Sequence, residues 1–170
     1  MAQLPATLKN MTLFGEGESW AGKVPEVTIP KLARVMEDYR GGGMAGAIKI
    51  DLGQEPIEFE WTAAELLETA FRAYGAPTVD GVQLRFVGAY QNDATGTYDG
   101  WEVVVRGRHS EIDPGAQKVG SITEAKFKTA CSYYKISKNE VALIEIDLLN
   151  NVFKVGGEDR LAQERTILGL

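Results

Sequence analysis

Apolar and polar side chains alternate with period two through most of this chain, which restricts it to a fold of half-buried strands. In Pro56-Ile57-Glu58-Phe59-Glu60-Trp61, the residues Ile57, Phe59 and Trp61 share one face while Glu58 and Glu60 take the other. Val82, Leu84 and Phe86 repeat the pattern. So do Trp101, Val103 and Val105, with Arg106 and Arg108 opposite them. Phe127, Thr129 and Cys131 share a side, flanked on the other by Lys126 and Lys128. Val141-Ala142-Leu143-Ile144-Glu145-Ile146 is apolar on both faces, which predicts a covered strand. Asn150-Asn151 then turns the chain into Val152-Phe153-Lys154-Val155, a hairpin partner. The fold class is mainly β, an antiparallel sandwich or barrel.

Helical signals are few. Thr62-Ala63-Ala64-Glu65 has the form of a capping box, and Leu66, Leu67, Ala70, Phe71 and Tyr74 recur at helical spacing. Gly75 and Pro77 stop the run, so one helix is expected over about 62–75. After Pro30, the positions of Leu32, Val35, Met36 and Tyr39 fit a helix, yet Val27-Thr28-Ile29 before them reads as a strand. The tail from Gly157 to Leu170 reads as a short helix or docked arm, with Leu161, Leu168 and Leu170 as its apolar anchors.

With 170 residues the chain suits a single domain. Its net charge of −6 argues against tight wrapping of nucleic acid, which requires many Lys and Arg on phosphates. The single cysteine, Cys131, excludes an internal disulfide and any multi-cysteine metal site. No apolar run approaches the ~20 residues that span a bilayer. The first residues, MAQLPATLKN, lack the features of a secretory signal. The expected compartment is reducing cytoplasm, or a particle assembled there.

No catalytic constellation emerges. Gly41-Gly42-Gly43-Met44-Ala45-Gly46 lacks the Lys-Ser or Lys-Thr of a phosphate loop and leads into a strand, Ile48-Lys49-Ile50-Asp51. It reads as a low-side-chain loop. His109, the only histidine, has no positioned partner in the sequence and reads as structural. Cys131 reads as a small core residue. Asp51, Asp80, Asp99 and Asp113 do not have calcium-loop spacing. Asp93-Ala94-Thr95-Gly96 reads as a turn. The pairs Arg106 with Arg108 and Lys126 with Lys128 read as salt-bridged or interface faces. No cofactor or metal is expected, and the chain is not read as an enzyme.

Several segments carry, in order, a resemblance to the major tail tube protein of contractile-tailed bacteriophages, a family shared with R-type bacteriocins. They are Thr28-Ile29-Pro30-Lys31-Leu32-Ala33, Asp38-Tyr39-Arg40-Gly41-Gly42-Gly43-Met44, Ile50-Asp51-Leu52-Gly53, and Arg85-Phe86-Val87-Gly88-Ala89-Tyr90. Val105-Arg106-Gly107-Arg108, Glu111-Ile112-Asp113-Pro114-Gly115 and Tyr133-Tyr134-Lys135 follow. Glu145-Ile146-Asp147 and the closing Asp159-Arg160-Leu161-Ala162 to Leu168-Gly169-Leu170 complete the set. Each segment is weakly diagnostic alone; their order and spacing make the joint match specific.

The resemblance implies hexameric rings stacked into a hollow tube inside a contractile sheath, a conduit for DNA. It implies a virion tail component, assembled in the host cytoplasm. The implied partners are further copies of the chain, the sheath, baseplate and tail terminator proteins, and a tape-measure protein in the lumen. DNA is a partner only in transit. It also turns the segment after Pro30 into a long strand leading to an exposed loop. The arm around 40–47, with Tyr39, Arg40, Gly41, Gly42, Gly43 and Met44, then becomes a candidate contact between subunits. Leu161, Leu168 and Leu170 of the C-terminal arm (157–170) join it. Glu58 and Glu60 are lumen candidates, because carboxylates repel phosphates. A DNA-free bacteriocin or secretion-type tube would require the same monomer. A small β-barrel binding module, the reading from another class, requires a closed apolar pocket.

Overall fold

The computed structural model describes residues 2–170. Among them, twelve strands and two short helices follow one another. The strands are β1 (Ala6–Gly15), β2 (Glu18–Ser19), β3 (Glu26–Thr28), β4 (Arg34–Tyr39), β5 (Ile48–Gln54) and β6 (Ile57–Ala63), then helix α1 (Glu68–Arg72). β7 (Val82–Asn92), β8 (Tyr98–Asp113), β9 (Ala125–Lys138), β10 (Val141–Asp147), β11 (Val152–Val155) and β12 (Glu158–Asp159) precede helix α2 (Ala162–Leu168). The strand pairings are antiparallel.

β9 is the spine. Its first half, Ala125–Cys131, pairs with β6, and its second half, Tyr133–Lys138, pairs with β10; β8 runs along its other edge. Ser132 marks the changeover: it is skipped between the Arg106/Tyr133 and Gly107/Cys131 pairs. Its hydroxyl reaches the carbonyl oxygens of Val79 and Arg106, each at 3.3 Å. A Cβ on Gly107 would lie 2.0 Å from the Ala130 carbonyl oxygen, so the bulge requires glycine there.

Six strands, in the order β3-β6-β9-β8-β7-β1, wrap the core. The wrap is closed by a loop rather than a ladder. Trp20 N–H donates to the Leu13 carbonyl at 2.9 Å, and Ala64 N–H donates to the Lys23 carbonyl at 2.7 Å. The alternating apolar residues meet across strands in rows: Leu13, Phe86 and Val103 in one; Leu84, Val105, Tyr134 and Ile146 in another. All are buried. Trp61 lies opposite Phe127 and stacks on it at 4.1 Å, and Trp20 stacks on Trp61 at 4.9 Å. Burial of each large side chain contributes up to about 3 kcal/mol. α1 covers this aromatic stack, burying Leu67 and Ala70 and setting Phe71 edge-on to Phe127 at 5.8 Å.

The alternation-derived strands, the Asn150-Asn151 turn and the Val152–Val155 hairpin partner all form. The segment after Pro30 is strand β4, not helix. The helix expected over 62–75 is reduced to Glu68–Arg72. Thr62 and Ala63 stay in β6 because Lys126 and Ala125 of β9 offer them ladder partners, so the capping box does not form and the cap is Leu67, without a side-chain bond. Val141–Ile146 is not covered on both faces: Val141 and Leu143 are exposed while Ile146 is buried.

Candidate assembly surfaces

β3, β4, β5 and β6 form one long hairpin in two parts. Thr28 faces Glu60 and, six residues further along each strand, Arg34 faces Gln54, so the register is kept across the break. Pro30 and Pro56 lie in that break and remove ladder N–H groups; one bond remains, Glu55 N–H to the Ala33 carbonyl at 2.9 Å. The inner part belongs to the core wrap. The outer part, β4 with β5, is a separate two-stranded sheet that packs chiefly against itself.

This arm has two unlike faces. Arg34, Met36 and Asp38 share one with Lys49 and Asp51, by register. Arg34 and Asp51 pair at 2.8 Å, and Lys49 and Asp38 at 2.9 Å. The Arg34 hydrogen bond, and then the Gly53 N–H, hold the Asp51 carboxyl below its ordinary range. Arg34 also lies over the Phe153 ring of β11 at 4.9 Å, a contact between the base of the arm and the body. The second face carries Glu37 opposite Ile50, and Tyr39 opposite Ile48, with Leu52 beside them by alternation. Tyr39 is 53% exposed, Ile48 53%, Ile50 40% and Leu52 57%. An isolated two-stranded hairpin is marginal in water, and this one holds its apolar face in solvent. Such a surface marks a place where something else docks.

The glycine tip is organised. Met44 N–H donates to the Gly41 carbonyl at 3.3 Å, and Arg40 Nε donates to the Met44 carbonyl at 3.2 Å. Gly43 holds φ +80, a conformation that favours glycine. Met44 is half-buried, with its sulfur 3.1 Å from the Gly41 nitrogen.

Glu58 and Glu60 do share an outward face of β6, but they are not bare carboxylates. Lys128 of β9 lies between them, 3.3 Å from Glu58 and 3.4 Å from Glu60. Its pKa is raised by Glu58 first and Glu60 second. At the C-terminus, polar contacts fasten the tail. Arg165 bonds the Asp159 carboxylate at 2.5 Å and the Asn151 carbonyl at 2.8 Å, which pulls the Asp159 pKa down to about 2. Leu161 is half-buried, whereas Leu168 and Leu170 are exposed. Leu168 and Leu170 therefore do not anchor the tail within its own chain, and of the three leucines Leu161 alone is partly covered there.

His109 and Cys131 are both buried. His109 Nδ1 lies 2.9 Å from Thr129 Oγ1, and burial pushes its pKa down to about 4. Burial pushes the Cys131 thiol up to about 12, which leaves it unreactive at neutral pH. Ile48, Ile50 and Leu52 were not singled out by sequence reasoning, although the alternation in Ile48-Lys49-Ile50-Asp51-Leu52 signals a one-sided apolar strand.

A family model described as phage tail tube protein FII matches residues 5–169. The tail tube protein of Escherichia phage P2 is 42% identical over 170 residues, covering 98% of this chain and 99% of its own. The major tail tube protein of Serratia phage KSP20 is 39% identical over 158 residues, covering 92% of this chain and 91% of its own. Among solved structures, a chain from the sheath/tube terminator of the extracellular contractile injection system PVC shares the fold with TM-score 0.59 and 11% identity. That match covers 81% of this chain and 99% of the other. A chain of the PVC sheath-tube complex matches with TM-score 0.56 and 11% identity, over 78% and 91%. With almost its whole length matched, this chain belongs to the phage tail tube protein FII family.

Proposed function

We propose that this chain is the repeating structural subunit of a contractile phage tail tube. Copies join side to side into hexameric rings, and the rings stack into a hollow conduit inside the sheath. The observation that carries this reading is the apolar face of the β4–β5 arm, which the described residues leave about half-exposed. A side-to-side contact between unlike surfaces closes a ring, and a stacking contact that does not close extends a filament. The arm, with Tyr39 to Met44 at its tip, supplies one such contact, and the exposed Leu168 and Leu170 with Leu161 supply another.

The tube resides in the virion tail after assembly in the host cytoplasm. Its neighbours are sheath, baseplate and terminator proteins outside and at the ends, with a tape-measure protein and then DNA passing within. The role is structural, not catalytic. Phage relatives at 42% and 39% identity favour a tube that carries DNA over a DNA-free injection device. The Glu58–Lys128–Glu60 group is assigned to the lumen, where its excess of one carboxylate repels phosphate without offering a free cation. Negative-stain microscopy of purified protein, alone and with baseplate, tests the reading. Tubes of uniform width are expected; a chain that stays monomeric under every condition overturns it. Glu58→Lys with Glu60→Lys is expected to slow DNA ejection, and unchanged ejection removes these residues from the lumen.

A further inference from the structure

The β8–β9 connection, residues 114–124, is a second projection with an unusual tip. Val119 is 101% exposed and Ile122 is 81% exposed. Single exposed apolar residues are unremarkable, but these two stand on a loop braced by its own bonds. Gly115 N–H donates to Asp113 Oδ1 at 3.0 Å, and Gln117 Nε2 donates to the Pro114 carbonyl at 3.0 Å. Thr123 Oγ1 donates to Gln117 Oε1 at 3.1 Å, and Ser121 N–H to the Lys118 carbonyl at 3.2 Å. The loop is thus a preorganised peg that holds two apolar side chains in water.

Strand register places this peg at the opposite end of the molecule from the arm. Along β6, Ile57 pairs with Cys131 and Ala63 with Ala125. The arm extends beyond the Ile57 end, because β5 runs into β6 there. The peg extends beyond the Ala63 end, because it joins Asp113 of β8 to Ala125 of β9. Two exposed apolar surfaces therefore lie beyond opposite ends of β6. A molecule with such ends cannot satisfy both within itself, and a head-to-tail contact between copies satisfies them together while leaving a fresh pair at each terminus of the growing array.

We propose that the apolar face of the arm of one copy docks on the Val119–Ile122 peg of the next copy. This rests on the tube reading and names the surface that receives the arm. Burial of two largely exposed side chains is worth a few kcal/mol, so removing them shifts assembly more than about 100-fold. The test uses two sets of full-length variants. Val119→Asp with Ile122→Asp is expected to melt like the wild type, since neither residue packs in the monomer, and to raise the critical concentration for tube formation more than about 100-fold. Tubes at the wild-type critical concentration overturn the proposal. In mixed tubes of Ile48→Cys and Ile122→Cys subunits, a short thiol cross-linker is expected to yield the mixed dimer, and the double variant a ladder of longer species. Cys131 stays silent because it is buried. If Ile48→Cys links instead to Leu168→Cys, the arm sits on the C-terminal helix and the proposal is overturned while the tube reading stands. A wild-type chain that forms no tubes overturns both.

Discussion

Replacing Ile48, Ile50 and Leu52 together by threonine separates folding from assembly. Threonine is β-branched, which suits a strand, so the arm retains its ladder. The three side chains leave about one and a half residues' worth of apolar surface in water. At roughly 2 kcal/mol per fully buried side chain, covering that surface stabilises a subunit contact by ~3 kcal/mol. Each added subunit brings one arm, so the loss falls on every elongation step and raises the critical concentration about 100-fold. The monomer, where these residues stand half-exposed outside the core, should change by less than about 0.5 kcal/mol. Sedimentation of tubes across a concentration series reads the first quantity, and thermal melting of dilute protein reads the second. An unchanged critical concentration refutes the argument, as does a monomer destabilised by the full ~3 kcal/mol.

Three further outcomes follow from the same geometry. Gly42→Val meets open space, whereas Gly43→Val forces a β-branched residue into φ +80. Gly42→Val should melt like the wild type, while the strain in Gly43→Val should loosen the tip alone and leave the core melt in place, making it the worse assembler by tube sedimentation; full-length tubes from it count against a role for the tip. Gly107→Ala pushes a methyl into the Ala130 carbonyl and should cost about 1–3 kcal/mol in a urea melt. His109 is neutral when folded, with a pKa of about 4 against an ordinary 6.5, so the unfolded chain binds the extra proton first. Stability is unaffected above pH 6.5 and falls as the pH drops from there toward 4, by ~3 kcal/mol at the limit. His109→Gln should flatten that slope in a pH series of melts, and equal slopes would refute it.

Strands that alternate along their whole length announce themselves, and those of this chain are legible. Ile57, Phe59 and Trp61 alternate because one side of β6 meets Phe127 and the other meets water. β1 was not read, because its outer half, Ala6-Thr7-Leu8-Lys9-Asn10, is exposed and carries no alternation. The helix was overextended because local capping chemistry at Thr62 competes with a ladder partner that only the folded chain supplies. Val141 and Leu143 look like core residues because no sequence signal distinguishes surface covered by its own chain from surface left exposed. The arm residues Ile48, Ile50 and Leu52 follow the period-two rule and were within reach; Val119 and Ile122 sit in a loop, where no periodicity applies. Glu58 and Glu60 were correctly placed on one face, but the Lys128 between them comes from a strand far along the chain.

The proline-bearing gap in the long hairpin has a mechanical consequence. Between the Thr28/Glu60 and Arg34/Gln54 pairs, Ala33 and Glu55 alone keep a backbone bond, so this short stretch lacks the ladder that stiffens the hairpin on either side. Load applied at the tip bends the molecule there first, and the matched spacing on both sides lets it swing without either strand slipping past the other. An assembly joined through such articulated limbs can flex along its length while every docked surface stays seated.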